Sequence, residues 1–288
     1  MTPTIESAAS RAKPPANNHL NFWKRTLMDI ASIGGIALAI IGILAGMMIE
    51  GGSIAQITQP TAAMIVFGGT LGAVMLQFPL SIFLAALKAI LKVFLHKGSD
   101  GEATLAQIVT FANKARRSGI VSLDADLATI TDPFLKQALM LAVDGTEPSE
   151  VRKIMQLELD NKSEIEEKIP AVFEAAGGYS PTVGIIGAVL GLIQVMKNLS
   201  NIDEVGRGIA VAFVATIYGV AMANLICLPA AGKLKFRHRE EQMIKEMMLE
   251  GVISILEGMN PRMIETKLRT YLFDSEPAES AKHSEVKA

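Results

Sequence analysis

Two nearly charge-free apolar runs between Pro170 and Gly232, KIPAVFEAAGGYSPTVGIIGAVLGLIQVM and GIAVAFVATIYGVAMANLICLPAAG, carry the side chains with most scope for chemistry. Ser180, Thr182, Gln194, Thr216, Tyr218 and Asn224 lie in them, and Thr70 and Gln77 lie in an earlier apolar run. Hydroxyls and amides can line a path for an ion, but they cannot take up its charge. The acid in these runs, Glu174, sits near one end and reads as a solvated or interfacial charge rather than an ion site. A cation path would therefore need a carboxylate from another chain. Each run also holds a proline, Pro181 and Pro229. A proline inside a spanning helix frees a backbone carbonyl that neighbours, side chains or water must satisfy, so it persists where helices meet or water enters.

Other chemistry has little support. No HExxH, GxSxG or Walker A motif occurs, no GxGxxG stands between a strand and a helix, and the histidines are scattered at 19, 96, 238 and 283. No enzyme activity, metal or cofactor is expected. Cys227 is the single cysteine, so neither an intrachain disulfide nor a cysteine metal cluster is possible. Half of the 288 residues are hydrophobic, only 19% are charged, and the mean hydropathy is +0.36, which is the composition of a membrane protein. A net charge of −2 gives no reason to expect nucleic acid.

The elements that position these residues are all helical, because no period-two pattern appears. Residues 1–27 read as a mobile leader, not a cleavable signal, since Lys24 and Arg25 directly precede a full-length span; Trp23 suits an interface anchor and Met28 is a second candidate start. A first transmembrane hairpin fills residues 28–96, with spans at 30–49 and 61–80. Its pairs Gly42/Gly46 and Gly68/Gly72 are spaced to let another helix approach. After Pro79, Lys88, Lys92 and His96 fall on one face and Phe83, Leu84, Leu87, Leu91 and Leu95 elsewhere, which describes an amphipathic surface helix or a second helix running on into the cytoplasm, the cytoplasmic packing being preferred. Residues 97–169 form a large polar helical region. Gly119 stops one helix there, and Asp132-Pro133 and Glu147-Pro148 start two more. The second hairpin occupies 170–232, with spans at 171–195 and 208–232, and a helical tail follows from 233 with a disordered end. Lys24, Arg25, Lys88, Lys92, Lys97, Lys233, Lys235, Arg237 and Arg239 fall on one side, against Lys197 and Arg207 on the other, so both termini are expected in the cytoplasm. The fold class is an all-α, four-span integral membrane protein with a large cytoplasmic helical region.

GGYSPTVGIIGAVLGLIQVM together with GIAVAFVATIYGVAMANLICLPAAGKL resembles the core of the MotA/TolQ/ExbB proton channel family. FANKARRSGIVSLDADL at 111–127, EGVISILEGMNPRMIETKLRTYL at 250–272 and the opening MDIASIGGIALAIIGIL resemble its flagellar stator branch. The resemblance runs from Met28 to Leu272. It implies a homo-oligomer, a pentamer, in the bacterial inner membrane around a MotB-type partner that binds peptidoglycan and supplies an ion-carrying aspartate. That partner would provide the acid the spans lack. Pro181 and Pro229 match the family's two coupling prolines, and Ala188 and Thr216 match positions facing the ion path. Sodium-driven relatives tend to carry threonine at the position of Ala188, so the transported ion is expected to be the proton. On the residues alone, a Thr216 hydroxyl bonded to its own helix is a nearly equal alternative.

Arg116 and Asp124 match the charged pair that engages the rotor protein FliG, with Arg117 and Asp126 as neighbours; aspartate at 124 is one methylene shorter than the family's frequent glutamate. The implied function is a stator subunit that converts ion-motive force into torque for motility and chemotaxis. The alternative within the family is an ExbB- or TolQ-like energiser of outer-membrane transport, which has no rotor. Outside it stand a secondary transporter, although no inverted repeat is clear, and a passive scaffold, which leaves the two prolines unexplained.

Overall fold

The computed structural model describes residues 30–94 and 100–272, and all of its regular structure there is helical. The leader with Trp23, Lys24, Arg25 and Met28, the pair His96 and Lys97, and the tail end fall outside the described residues. Helix α1 (Ile30–Ile49) is uncharged throughout. A short 3₁₀ turn, Ile54–Ile57, leads to α2 (Pro60–Gln77), where Pro60 stands in the first turn, a position at which its missing N–H costs nothing. The expected second span ended at Leu80, but α2 ends at Gln77. Pro79 forces its predecessor Phe78 into an extended conformation (φ −117°, ψ 144°), and α3 (Leu80–Phe94) restarts beyond the break.

In α3, Lys88 shares the exposed side with Leu84, Leu87 and Leu91, while Ala86, Ala89 and Val93 are buried. The buried side packs on the two long helices described next, in a cluster with Val172, Phe173, Ala176, Cys227, Ala230 and Ala231. The Arg237 guanidinium donates to the Val93 carbonyl at 3.0 Å and ties down the end of α3. This segment is therefore a packed helix, and it does not continue α2.

Helix α4 (Gly101–Ser118) is capped by the Asp100 carboxylate and stopped by Gly119 at φ +80°, a conformation that suits glycine. A 3₁₀ stretch, Ile120–Thr129, precedes α5 (Pro133–Val143), whose Asp132 cap accepts from the Phe134 and Leu135 amides. Helix α6 (Pro148–Lys197) then runs 50 residues without interruption, through Pro170 and Pro181. At 1.5 Å per residue it is about 75 Å long, so it crosses a bilayer and projects well beyond it. Helix α7 (Ile202–Ala221), a π segment (Met222–Cys227) and α8 (Leu228–Leu256) form a continuous partner of 55 residues, and α9 (Pro261–Arg269) closes the described chain. Among the described residues, four helices are long and apolar enough to cross a membrane.

The polar region at 97–169 and the tail were expected as separate units, yet they share one core. Leu105, Ile108, Leu123, Leu135, Leu139, Val151 and Met155 bury against Met247, Val252, Ile253, Ile264 and Leu268. Gly251 marks one close approach, since a Cβ there would lie 2.6 Å from the Ile108 side chain. Glu250, 13% exposed, joins three helices by accepting from Arg152 of α6 at 2.9 Å and from Lys267 of α9. Burial alone would raise the Glu250 pKa, but the bonds from Arg152 and Lys267 outweigh it and hold the carboxyl below its ordinary value. The folded state thus prefers the carboxylate, and the stabilisation is present above the unfolded pKa of about 4.5 and is lost as pH falls through the depressed folded value. Glu250→Gln should destabilise the detergent-solubilised protein by about 2 kcal/mol at pH 7 and make its stability less sensitive to acid below the ordinary carboxylate range. Thermal unfolding of both proteins from pH 7 to pH 3 checks this.

Candidate functional site

The two runs that hold the candidate residues pack against one another almost backbone to backbone. Gly177, Ser180, Gly184, Gly187 and Gly191 recur at three- and four-residue intervals and form the buried stripe of α6. Gly208, Ala212, Ala215 and Gly219 do the same on α7. A Cβ on Gly191 would lie 2.7 Å from the Gly208 carbonyl, one on Gly184 2.9 Å from the Ala215 carbonyl, and one on Gly219 2.6 Å from the Ser180 carbonyl. These contacts are with backbone, which cannot swing aside, so the small residues are required by the approach itself. The glycine pairs singled out in the sequence behave differently. Gly42, Gly46, Gly68 and Gly72 have nothing within 4 Å of the Cβ position, so they mark faces of α1 and α2 open in the single chain.

Pro181 is half-buried at the edge of this seam, with its Cα 3.2 Å from a Cβ built on Gly219. The adjacent Ser180 hydroxyl, fully buried, donates to the Gly219 carbonyl at 2.9 Å and pins α6 to α7 beside the proline. Pro229 lies at a different level. Gly177 is the residue that meets Cys227 and Leu228, so the two prolines are offset along the seam. The proline ring at 229 would press on the carbonyl four residues back, that of Leu225. Just upstream, the helix widens into the π segment, where the Leu228 N–H reaches five residues back to Ala223. The Asn224 amide donates to the Val220 carbonyl at 3.0 Å, satisfying an acceptor in the same stretch.

Ala188 and Thr216 are both half-buried beside the seam. The Thr216 hydroxyl donates to the Ala212 carbonyl of its own helix at 3.1 Å, which is the second of the two readings drawn from sequence. Sequence reasoning missed the role of Tyr218, whose hydroxyl donates to the Ile57 carbonyl at 2.6 Å and accepts from the Gln59 amide at 3.3 Å. It stacks on Phe67 and ties the α1–α2 connection to α7. Glu174 pairs with Lys235 of α8 at 2.6 Å.

The charged candidates lie in the polar body. Arg116 and Arg117 end α4 on the surface, and the Gly119 turn brings the 3₁₀ stretch back beside them, anchored by fully buried Leu123 and presenting exposed Asp124. Among the described residues these three charges form no ion pair. Asp126 differs, because it accepts from Lys114 at 2.7 Å and thereby fastens the stretch to α4. Nothing in the local sequence distinguishes Asp126 from Asp124 except its spacing of 12 residues from Lys114.

A family model described as the MotA/TolQ/ExbB proton channel family matches residues 126–247, and one described as Motility protein A N-terminal matches 33–119. Motility protein A of Bacillus subtilis (strain 168) is 36% identical over 247 residues, 85% of this chain and 91% of its own length. The chain belongs to the MotA/TolQ/ExbB proton channel family. Among solved structures of this family, C. jejuni MotAB is similar with a TM-score of 0.82 and 31% identity, covering 87% of this chain and 98% of that one. The flagellar MotAB stator complex from Bacillus subtilis gives a TM-score of 0.79 and 36% identity, covering 88% and 98%. The family's N-terminal motility model takes in the first hairpin and α4, so the likeness reaches well beyond the channel core.

The seam makes a measurable demand. Gly219→Ala should destabilise the purified protein by about 2 kcal/mol through overpacking, whereas Gly42→Ala, facing open space, should change stability by no more than about 0.5 kcal/mol. Thermal unfolding in one detergent compares the two; equal effects would remove the seam as the tight point of the fold.

Proposed function

We propose that this chain is a flagellar motor stator subunit, which joins a MotB-type partner to form an ion channel whose current drives rotation. The observation that carries the reading is the likeness, over nearly the whole chain and including the polar body, to proteins named Motility protein A and to MotAB stator structures. The chemistry agrees with it. Four spans without a carboxylate at mid-depth can shape a path but cannot carry the charge, and a partner helix bearing an aspartate supplies what they lack.

In this reading five copies surround the partner in the bacterial inner membrane, with both termini and the polar body in the cytoplasm. Protons driven by the electrochemical gradient, worth roughly 2.3 kcal/mol per charge per 100 mV, protonate and release the partner's aspartate beside Pro181, Ala188 and Thr216. Pro181 and Pro229, with the π segment between α7 and α8, give the helices a place to change register. The long helices carry that change to Arg116, Arg117 and Asp124, which engage complementary charges on the rotor protein FliG. Such charges set register and association rate more than static affinity. Asp126 acts on the rotor indirectly, by holding the stretch that presents Asp124.

Complementation of a strain lacking the native copy tests the reading. Wild type should restore swimming, while Arg116→Glu and Pro181→Ala should each reduce swarm expansion several-fold; unchanged motility in both variants would sink the stator assignment. Ion choice has its own measurement. Swimming speed should follow the proton-motive force and survive replacement of sodium by potassium, and a speed that tracks external sodium would overturn the inference from Ala188.

A further inference from the structure

Helix α6 presents two different faces to its surroundings. Its buried stripe enters the glycine seam, and beside that stripe Ala188, Pro181 and Glu174 recur at intervals of seven. Seven residues return almost to the same azimuth, drifting about 20° per repeat, so the three residues line one strip of the helix. Pro181 and Ala188 are half-buried and Glu174 is exposed. Between Pro181 and Glu174 the strip holds the exposed Gly178, around which nothing lies within 4 Å of the Cβ position, so this side of α6 is open in the single chain and carries no side chain that would block it. The distance along the helix from Pro181 to Glu174 is about 10 Å. Glu174 is thus the first ionisable group met on this strip beyond Pro181, at the end where α6 passes from its apolar to its polar half.

We propose that Glu174 is the proton-accepting group at the cytoplasmic mouth of the ion path. This rests on the stator reading and adds to it a residue of this chain that handles the ion. The step moves one proton, with no change in electrons. A proton released from the partner's carboxylic acid near Pro181 passes by way of water along the open Gly178 side of α6 to the Glu174 carboxylate, and from there to bulk water. Lys235 of α8 lies 2.6 Å from the Glu174 carboxylate and orients it at the mouth.

A relay of this kind changes how fast ions pass but not the free energy each delivers. Rotation should respond accordingly under different loads, because speed at low load is limited by transfer rates and torque near stall by the driving force. The experiment uses the full chain with its native partner in cells lacking the chromosomal copy, with motor speed measured on beads of different size and partner co-purification as the assembly control. Glu174→Gln should lower low-load speed about threefold or more with stall torque nearly unchanged, Glu174→Asp should recover most of the speed, and Lys235→Met should be milder than Glu174→Gln. The proposal falls if Glu174→Gln runs at wild-type low-load speed. It also falls if Glu174→Gln and Lys235→Met lose torque equally at all loads or lose the partner, since a purely structural ion pair predicts that result. Absence of rotation with the wild-type chain would instead remove the stator reading on which the proposal stands.

Discussion

The approach of α6 to α7 fixes most of what surrounds it. Where two helices touch through backbone atoms, with a Gly191 Cβ position 2.7 Å from the Gly208 carbonyl, relative rotation or translation of either helix brings a larger atom into collision. The seam therefore sets the azimuth of every other residue on both helices. It places Ala188 and Pro181 beside the contact instead of inside it, and it sends Ile185, Val189 and Leu192 outward as exposed apolar surface. In water such a surface would be a liability; in a bilayer or against further helices it is the expected finish of a spanning helix.

Continuity is the second consequence. Helices α6 and α7–α8 run from the apolar to the polar end of the molecule without a loop, and the core of the polar body is built partly from their far ends, Val151 and Met155 on one and Met247, Val252 and Ile253 on the other. A displacement in the seam cannot be absorbed by a flexible connection before it reaches α4 and Arg116. The places that can absorb it are inside the helices, at Pro181 and at the π segment before Pro229, where the regular hydrogen-bond ladder is already broken. Interruption in the spans and continuity outside them are complementary features of this helix pair.

Much of this was legible in the sequence, for identifiable reasons. Long uncharged runs, Asp132 and Glu147 before prolines, and Gly119 after a basic helix end are local signals, and the helices begin and end where those signals stand. What escaped was long-range. Gly184 and Gly219 are 35 residues apart in the chain, and nothing in either run states which glycines will meet; the more regular pairs at Gly42 and Gly68 attracted attention and proved open. The union of residues 97–169 with the tail depends on Gly251 meeting Ile108, again a distant pairing. The Pro79 break shifted a boundary by three residues because the restriction acts on Phe78, the residue before the proline, and not on the proline itself. The candidate ion-path and rotor-facing positions came from resemblance, since hydroxyls, alanines and surface charges have no distinctive pattern of their own.

The distribution of charge along the α6–α8 pair follows from solvation. Charged side chains begin at Glu174 on α6 and at Lys233 and Lys235 on α8, Glu174 pairing with Lys235, and continue with Glu166, which bonds His238 at 2.9 Å, while His238 meets the Ser163 hydroxyl at 3.1 Å. Toward the centre of the spans from Glu174 the pair carries no Asp, Glu, Lys, Arg or His until the far ends of α6 and α7. A fixed carboxylate at mid-depth would have to stay buried through every cycle, and burying a charge without a permanent partner costs several kcal/mol. An acid on a separate helix avoids that cost, since it can be neutral when it faces apolar surface and charged only when it faces water. In the proposed stator the chain's contribution is then the shape of the passage. The seam that excludes larger side chains is also what leaves no site within it for a charge of its own.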